Sequence, residues 1–505
     1  MKKNYLSLGL AAMSLLMAGC STTNESGDLE ALQTYNSNDV AKLALEGQKV
    51  PTDSNKFEAF ADNPFVKTAD EPVSTFSVDA DGASYAVMRR YLESGYEVNK
   101  WSVRIEEFLN YFTFDYPAPT DGHSIAINAE VGPCPWNSDH QLLRLGLKGK
   151  ELAESEVPQA NFVFLVDVSG SMSTNDKLDL LKKGLRELLH QLRPSDRISI
   201  ITYSGEVKKL LESTPVSEIS KIDHAIGQLT ASGSTAGGEA LKMAYEEALA
   251  CYDPEANNRV IMGTDGDFNV GVTSTDALVE MVQDYAKRGI YMTCLGFGMG
   301  NLNDAMMERI SNAGNGTYHY IDCENEMMKV FVHERSQFVS VANDVKCQVT
   351  FDSTLVSQYR LIGYENRVMA NEDFENDEKD AAEVGAGQTI TALYEIVPTP
   401  KVEKGLDVNR TLATLNVRYK KALSSASIPL QVSVNTAMLW GSPSANLTFA
   451  AGVAAYGMLL RQSPYKGGAT LDMAAKLVEQ SLTFDPHGYR AELLRLINMA
   501  ANKKQ

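Results

Sequence analysis

Asn161-Phe-Val-Phe-Leu-Val-Asp-Val-Ser-Gly-Ser-Met172 is the stretch whose reading organises the chain. An unbroken apolar run, Phe162 to Val166, stops at Asp167, and Ser169 and Ser171 follow. Such a run, bounded by Ser and Gly, reads as a strand buried within a parallel sheet. Between Lys177 and Leu192, the residues Leu178, Leu181, Leu185, Leu188, Leu189 and Leu192 recur at helical spacing. One carboxylate and two hydroxyls therefore stand on the loop leaving the carboxyl end of a strand, where open α/β sheets place their ligands. Hard oxygen donors without Cys or His suit Mg²⁺, Mn²⁺ or Ca²⁺ rather than zinc.

Two further segments extend the pattern. Gly233-Ser234-Thr235 precedes an amphipathic helix over Gly238 to Leu249, and Arg259-Val-Ile-Met-Gly-Thr-Asp-Gly-Asp267 reads as a second buried strand ending in Asp265. The order Asp-x-Ser-x-Ser, then Thr, then Asp-Gly resembles the von Willebrand factor type A domain, in which these positions build a metal-ion-dependent adhesion site. The resemblance implies hydroxyl ligands from Ser169, Ser171 and Thr235, with Asp167 and Asp265 acting directly or through water. Neutral hydroxyls would leave the ion electrophilic, with an open position for an Asp or Glu carboxylate of a protein partner. Few carboxylates and small loops lean towards Mg²⁺, with Mn²⁺ and Ca²⁺ as alternatives. The competing reading is a set of helix-capping Ser and Asp residues; a P-loop is excluded because G-x-x-x-x-G-K-[ST] is missing.

The neighbouring segments alternate as a doubly wound sheet requires. Strands are expected at Arg197 to Tyr203, Ile290 to Phe297 and Thr317 to Ile321, with Val207 to Leu211 as an antiparallel edge. Helices are expected at Asp276 to Arg288, Asn303 to Ala313 and Glu326 to Ala342. Asp267 and Asn269 lie beside Asp265 but are kept out of the ligand set.

Strand patterns flank this region on both sides: Ser124 to Val131 and Gln141 to Leu147 before it, then Val345 to Phe351, Tyr359 to Tyr364, Thr389 to Val397, Thr411 to Tyr419 and Leu430 to Val434. The expected fold class is α/β, a doubly wound, mostly parallel sheet inserted in a β-sandwich, followed by a small helical region over Phe449 to Gln462, Thr470 to Ser481 and Gly488 to Asn502. The ends of the insert should then lie close together. Asp79-Ala-Asp81 opens like a calcium loop, yet Arg90 stands at the twelfth position, so both Asp residues are read as turn and capping groups. With Arg104-Ile-Glu-Glu-Phe108 and Arg360-Leu-Ile-Gly-Tyr-Glu-Asn366, this stretch resembles bacterial lipoproteins that carry a von Willebrand factor type A domain.

Met1-Lys-Lys3, an apolar segment from Leu6 to Ala18 and then Gly19-Cys20 read as a secretory signal. Leu16-Met-Ala-Gly-Cys20 resembles a lipobox, which implies lipidation of Cys20. Ser21 after the cysteine implies an outer-membrane destination in the bacterial cell envelope. The expected division is a signal peptide (1–19), a lipid-anchored tether (20–70), an amino-terminal helical module (71–118), the first part of the sandwich (119–157), the α/β domain (158–342), the second part of the sandwich (343–440) and the helical region (441–505). The formal charge of −19 becomes about −21 once Lys2 and Lys3 are removed, which argues against nucleic-acid partners. With Cys20 lipidated, Cys134, Cys251, Cys294, Cys323 and Cys347 leave at least one thiol unpaired.

Catalysis lacks a motif. Asp167-Val-Ser-Gly departs from the G-x-S-x-G elbow, and His333-Glu334 lacks the second His of HExxH. The expected function is binding, by a non-enzymatic, envelope-anchored module that grips a partner's acidic side chain through the ion. The alternative is a structural scaffold with a vestigial or structural ion.

Overall fold

The computed structural model describes residues 55–120, 122–234, 237–266, 274–400 and 409–503. At its centre lies a six-stranded sheet. Its spatial order is Tyr318–Ile321, Ile290–Phe297, Asn257–Thr264, Ala160–Asp167, Arg197–Tyr203 and Val207–Pro215, with only the last strand antiparallel. Every residue of Ala160–Asp167 is buried, as its continuous apolar run requires. Helices cover both faces, among them Leu178–Gln191, whose Leu178, Leu181, Leu185 and Leu188 pack on Phe164 and Val166.

Two antiparallel sheets form the sandwich. One runs Val66–Lys67, Val356–Ile362, Thr389–Pro398, Gln141–Gly149, Ile125–Pro133; the other runs Val368–Met369, Val73–Ser77, Ser340–Phe351, Thr411–Lys420, Ile428–Asn435. Their facing side chains, including Phe76, Leu145, Val349, Tyr394 and Leu415, share one core. Strands from before and after the α/β domain thus complete each other, and the domain enters and leaves at one place. Asn257 receives the chain on both sides: its backbone N–H donates to Gln159 (2.8 Å) and its side chain to Phe338 (2.9 Å).

The third layer is helical. Ala445–Arg461, Leu471–Glu479 and Tyr489–Lys503 share a core with Ile105–Asn110 and one side of Ala83–Glu93. That last helix is a wedge. Tyr85, Met88 and Leu92 face the helical layer, whereas Ala83, Ala86, Val87 and Tyr91 face the central domain. Arg89 lies between the two sides, 1% exposed. Its guanidinium donates to Asp322 (2.9 Å) and Glu326 (2.7 Å) of the domain, to Tyr111 (3.0 Å), and to Glu492 of the last helix (2.8 Å).

Three sequence expectations change. The segment 71–118 is not purely helical, because Val73–Ser77 supplies an inner strand of the sandwich. The tether does not extend to residue 70: Lys56 bonds Leu302, Asp62 pairs with Arg461, and Val66–Lys67 pairs with Val356–Ile362. These residues are held by polar contacts and backbone pairing, so no apolar period marks them. Finally, Glu326 to Ala342 is not one helix. The helix Glu324–Met328 passes through a π turn, Lys329–His333, and a short turn, Arg335–Phe338, before Ser340 opens a sandwich strand; this moves the domain boundary from 342 to about 339. The β-branched Val339 and Val341 favour that change. The helix Ile219–Gln228 was not expected. Cys134, Cys251, Cys294, Cys323 and Cys347 are all free thiols, and Cys294 is a core residue.

Arg89→Ala should cost about 3–5 kcal/mol, because Asp322 and Glu326 would remain buried without their partner; equilibrium denaturation measures it. Arg89→Lys should recover little, since a point charge cannot reproduce the forked contacts. Burial, with Glu365 nearby, pushes the Glu106 carboxyl up to about 8 from 4.5. The folded chain therefore keeps a proton that the unfolded chain releases, and stability falls as pH rises between those values. Glu106→Gln should remove that loss, raising stability by a few kcal/mol near pH 8 and hardly at all near pH 4.5, in parallel thermal melts.

Candidate functional site

Asp167 ends one central strand, and Asp265 directly follows the neighbouring parallel strand Asn257–Thr264. Both carboxylates are fully buried at the carboxyl edge of the sheet. Asp167 is held at both oxygens: Oδ1 accepts the Ser169 backbone N–H at 2.8 Å, and Oδ2 accepts the Thr264 hydroxyl at 2.9 Å. The Oγ atoms of Ser169 and Ser171 lie 2.9 Å apart. Ser169 is buried and Ser171 exposed, so the pair reaches from the sheet edge towards solvent. The Ser171 side chain also hydrogen-bonds Asp265, as does Asn301.

A second loop closes on this turn. Ser232 N–H donates to Val168 (2.7 Å), and Gly170 N–H donates to Gly233 (3.1 Å). The structure thus assembles Asp167, Ser169, Ser171 and Asp265 as the sequence anticipates. Thr235, the expected fifth ligand, lies outside the described residues, as do Asp267, Asn269 and Cys20. The side chains of the four described residues present only hard oxygens, two of them neutral hydroxyls, of which Ser171 is exposed. That donor set fits a divalent ion of the Mg²⁺ or Ca²⁺ type.

The sequence did not point to Lys177. Its ammonium donates to Asp265 Oδ2 at 2.9 Å and to the Ser171 carbonyl at 3.0 Å. It reaches them past Gly298, whose φ is +69° and where a Cβ would lie 2.0 Å from Lys177 Cε. Only glycine leaves that passage open. Gly266, at φ +89°, likewise lets the Leu302–Asn303 backbone approach the end of the Asp265 strand. The chain's amino-terminal segment grips the same loop: Asn55 Oδ1 accepts N–H bonds from Gly300 (3.0 Å) and Leu302 (2.9 Å).

The two carboxylates differ electrically. Burial drives the Asp167 carboxyl up, helped by the charge of Asp265 and opposed by the Ser169 and Thr264 hydrogen bonds. Burial also acts to raise Asp265, but the hydrogen bond and charge of Lys177 outweigh it and hold that carboxyl below its ordinary value. Asp265 is therefore the firmly ionised member, with Lys177 balancing it within the chain.

Comparison with known proteins agrees with this architecture. Residues 161–332 match the von Willebrand factor type A domain family, residues 336–502 match the family described as "Uncharacterized protein YfbK, C-terminal", and residues 51–144 match one described as von Willebrand factor. The uncharacterized protein YfbK of Escherichia coli K12 is 38% identical over 472 residues, covering 88% of this chain and 81% of that protein. Inter alpha-trypsin inhibitor heavy chain 4 of Mus musculus is 27% identical over 203 residues, covering 38% of this chain and 21% of its own length. Among solved structures, a von Willebrand factor type A protein from Catenulispora acidiphila aligns over 74% of this chain and 91% of that chain, with 16% identity and a TM-score of 0.44. BatB from Bacteroides thetaiotaomicron aligns over 35% of this chain and 98% of that chain, with 22% identity and a TM-score of 0.30. The chain belongs to the YfbK family and carries a von Willebrand factor type A domain at its centre.

Proposed function

We propose that the chain is an envelope-anchored, metal-dependent protein-binding module that captures an Asp or Glu side chain of a partner. Asp167, Ser169, Ser171, Thr235 and Asp265 would hold the ion, Mg²⁺ by preference. When bound, the ion supplies a Lewis-acidic coordination position for a carboxylate. The reading is carried by one observation: two adjacent hydroxyls, Ser169 and Ser171, lie beside two buried carboxylates at the ends of neighbouring strands.

The chain's own groups explain the preference for an acidic ligand. Asp167 is oriented by Ser169 N–H and Thr264 before any ligand arrives. Asp265 is partly offset by Lys177, so these three charged groups sum to one negative charge. With a divalent ion the site would be net positive, which favours an incoming carboxylate. The lipobox-like Leu16–Cys20 supports lipid anchoring at Cys20, with Ser21 favouring the outer membrane. The missing catalytic motifs support binding rather than catalysis. Lys177 also supports the second reading, a scaffold with a structural ion, because Asp265 already has a cationic partner inside the fold.

Calorimetric titration of the chain from Ser21 with Mg²⁺ and Mn²⁺ should show a saturable binding step that Asp167→Ala abolishes, with circular dichroism unchanged. Equal heats from both proteins would sink the site assignment. Ser169→Ala should lose Mg²⁺-dependent, chelator-sensitive capture of envelope proteins while remaining folded; capture that survives the substitution would favour the scaffold. Lys177→Met should tighten Mg²⁺ binding by about tenfold, because a cation opposing the ion at short range has been removed. Unchanged or weaker binding in the same titration would instead make Lys177 a positioning residue for Asp265.

A further inference from the structure

Residues 55 and 56 are built into a loop that also touches the candidate site. That loop, 298–303, leaves the carboxyl end of the strand Ile290–Phe297 and enters the helix Asp304–Ala313. Gly298 and Gly300 take φ of +69° and +105°, so the loop forms no regular ladder, and its backbone groups find partners elsewhere. Asn55 and Lys56 are those partners. Asn55 Oδ1 accepts the N–H groups of Gly300 (3.0 Å) and Leu302 (2.9 Å), and Lys56 N–H donates to the Leu302 carbonyl (2.8 Å). Lys56 also forms a parallel bridge with Asn303. Leu302 is 1% exposed, so water is poorly placed to replace these bonds, and leaving them unmade is costly. Phe57 packs on the same core as Leu302, and the Asn55 amide donates to the Tyr91 hydroxyl (3.2 Å) of the helix Ala83–Glu93.

The same loop reaches the ligand set on its other side. The Asn301 side chain hydrogen-bonds Asp265. The Leu302–Asn303 backbone lies against Gly266, where a Cβ would come within 2.5 Å of Asn303 N. Gly300 and Leu302 thus face the amino-terminal segment through their backbone, while Asn301 between them holds a carboxylate of the site.

We propose that Asn55 and Lys56 form a strap that positions Asp265 through the loop 300–303, so that seating of the strap and occupancy of the ion favour each other. The inference rests on the metal reading of Asp167, Ser169, Ser171, Thr235 and Asp265. Asn55 is a positioning residue that acts through Asn301. Coupling of this kind is reciprocal: the strap tightens the ion by the factor by which the ion tightens the strap. Because the strap continues in sequence towards Cys20, whatever draws residues 55 and 56 off the loop lowers the affinity of the site for its ion.

Calorimetric Mg²⁺ titration of the full chain tests this. Asn55→Ala should weaken Mg²⁺ about tenfold. Asp62→Asn, which breaks the pair with Arg461 in the same segment but away from the loop, should leave Mg²⁺ affinity unchanged. Equal weakening by Asp62→Asn would assign the effect to general loosening of the segment and overturn the proposal. Hydrogen exchange on the parent chain gives the reciprocal readout, and it decides also if Asn55→Ala fails to fold. Mg²⁺ should slow exchange at Lys56 as well as at Gly300 and Leu302, and should do neither in Asp167→Ala. A stabilising role alone would not make protection of Lys56 depend on the ion. Unchanged Mg²⁺ affinity in Asn55→Ala, or no added protection at Lys56, would overturn the strap and leave the metal site standing. A parent chain that binds no Mg²⁺ would overturn both.

Discussion

Arg89 is the point through which the parts of this molecule hold one another. It lies on a helix buried on both sides, where a single guanidinium serves the central domain, the aromatic cluster at Tyr111 and the last helix. A buried charge is stable only when its partners are complete. The helix Ala83–Glu93, the turn after Ile321 and the helix Tyr489–Lys503 must therefore arrive together. The inserted domain is thus attached at more than the place where the chain enters and leaves it, Gln159 and Phe338, which Asn257 bridges.

The candidate site is held by contacts of its own. Two strands of one parallel ladder set the separation of Asp167 and Asp265, and the turn Val168–Ser171 is held by the opposing loop at Ser232 and Gly233. The loop Gly300–Asn303 reaches Asp265 through Asn301 and is itself held by Asn55 and Lys56. The segment that leads from the amino terminus is thus in direct contact with the loop beside the site. Preorganised donors of this kind cost little reorganisation when a ligand arrives.

Much of the fold was legible because buried parallel strands leave a distinctive record. Phe162 to Val166 and Val260 to Met262 are continuous apolar runs, and Leu178 to Leu189 keeps helical period. Asp167, Ser169 and Ser171 were readable for the same reason, standing where an apolar run stops. Lys177 was not, because nothing in a helix-opening lysine says that glycine at position 298, far along the chain, leaves it a path to Asp265. The helical reading of Glu326 to Ala342 failed where local propensity was overridden by pairing of Ser340–Phe351 with strands distant in sequence.

By itself, the sequence determined the alternation of the central domain, the strands on both sides of it and the residue types at the sheet's carboxyl edge. These follow from periodicity and from the chemistry of single positions. Tertiary structure alone decided that residues 55–70 belong to the body, that Val73–Ser77 is an inner strand, and that the buried carboxylates Asp79, Glu107 and Glu308 gather around Arg104 and Arg367. The physical reason is that charge pairing and cross-strand hydrogen bonds join groups hundreds of residues apart. Such interactions have no period to betray them, and each partner viewed singly looks like an ordinary polar residue.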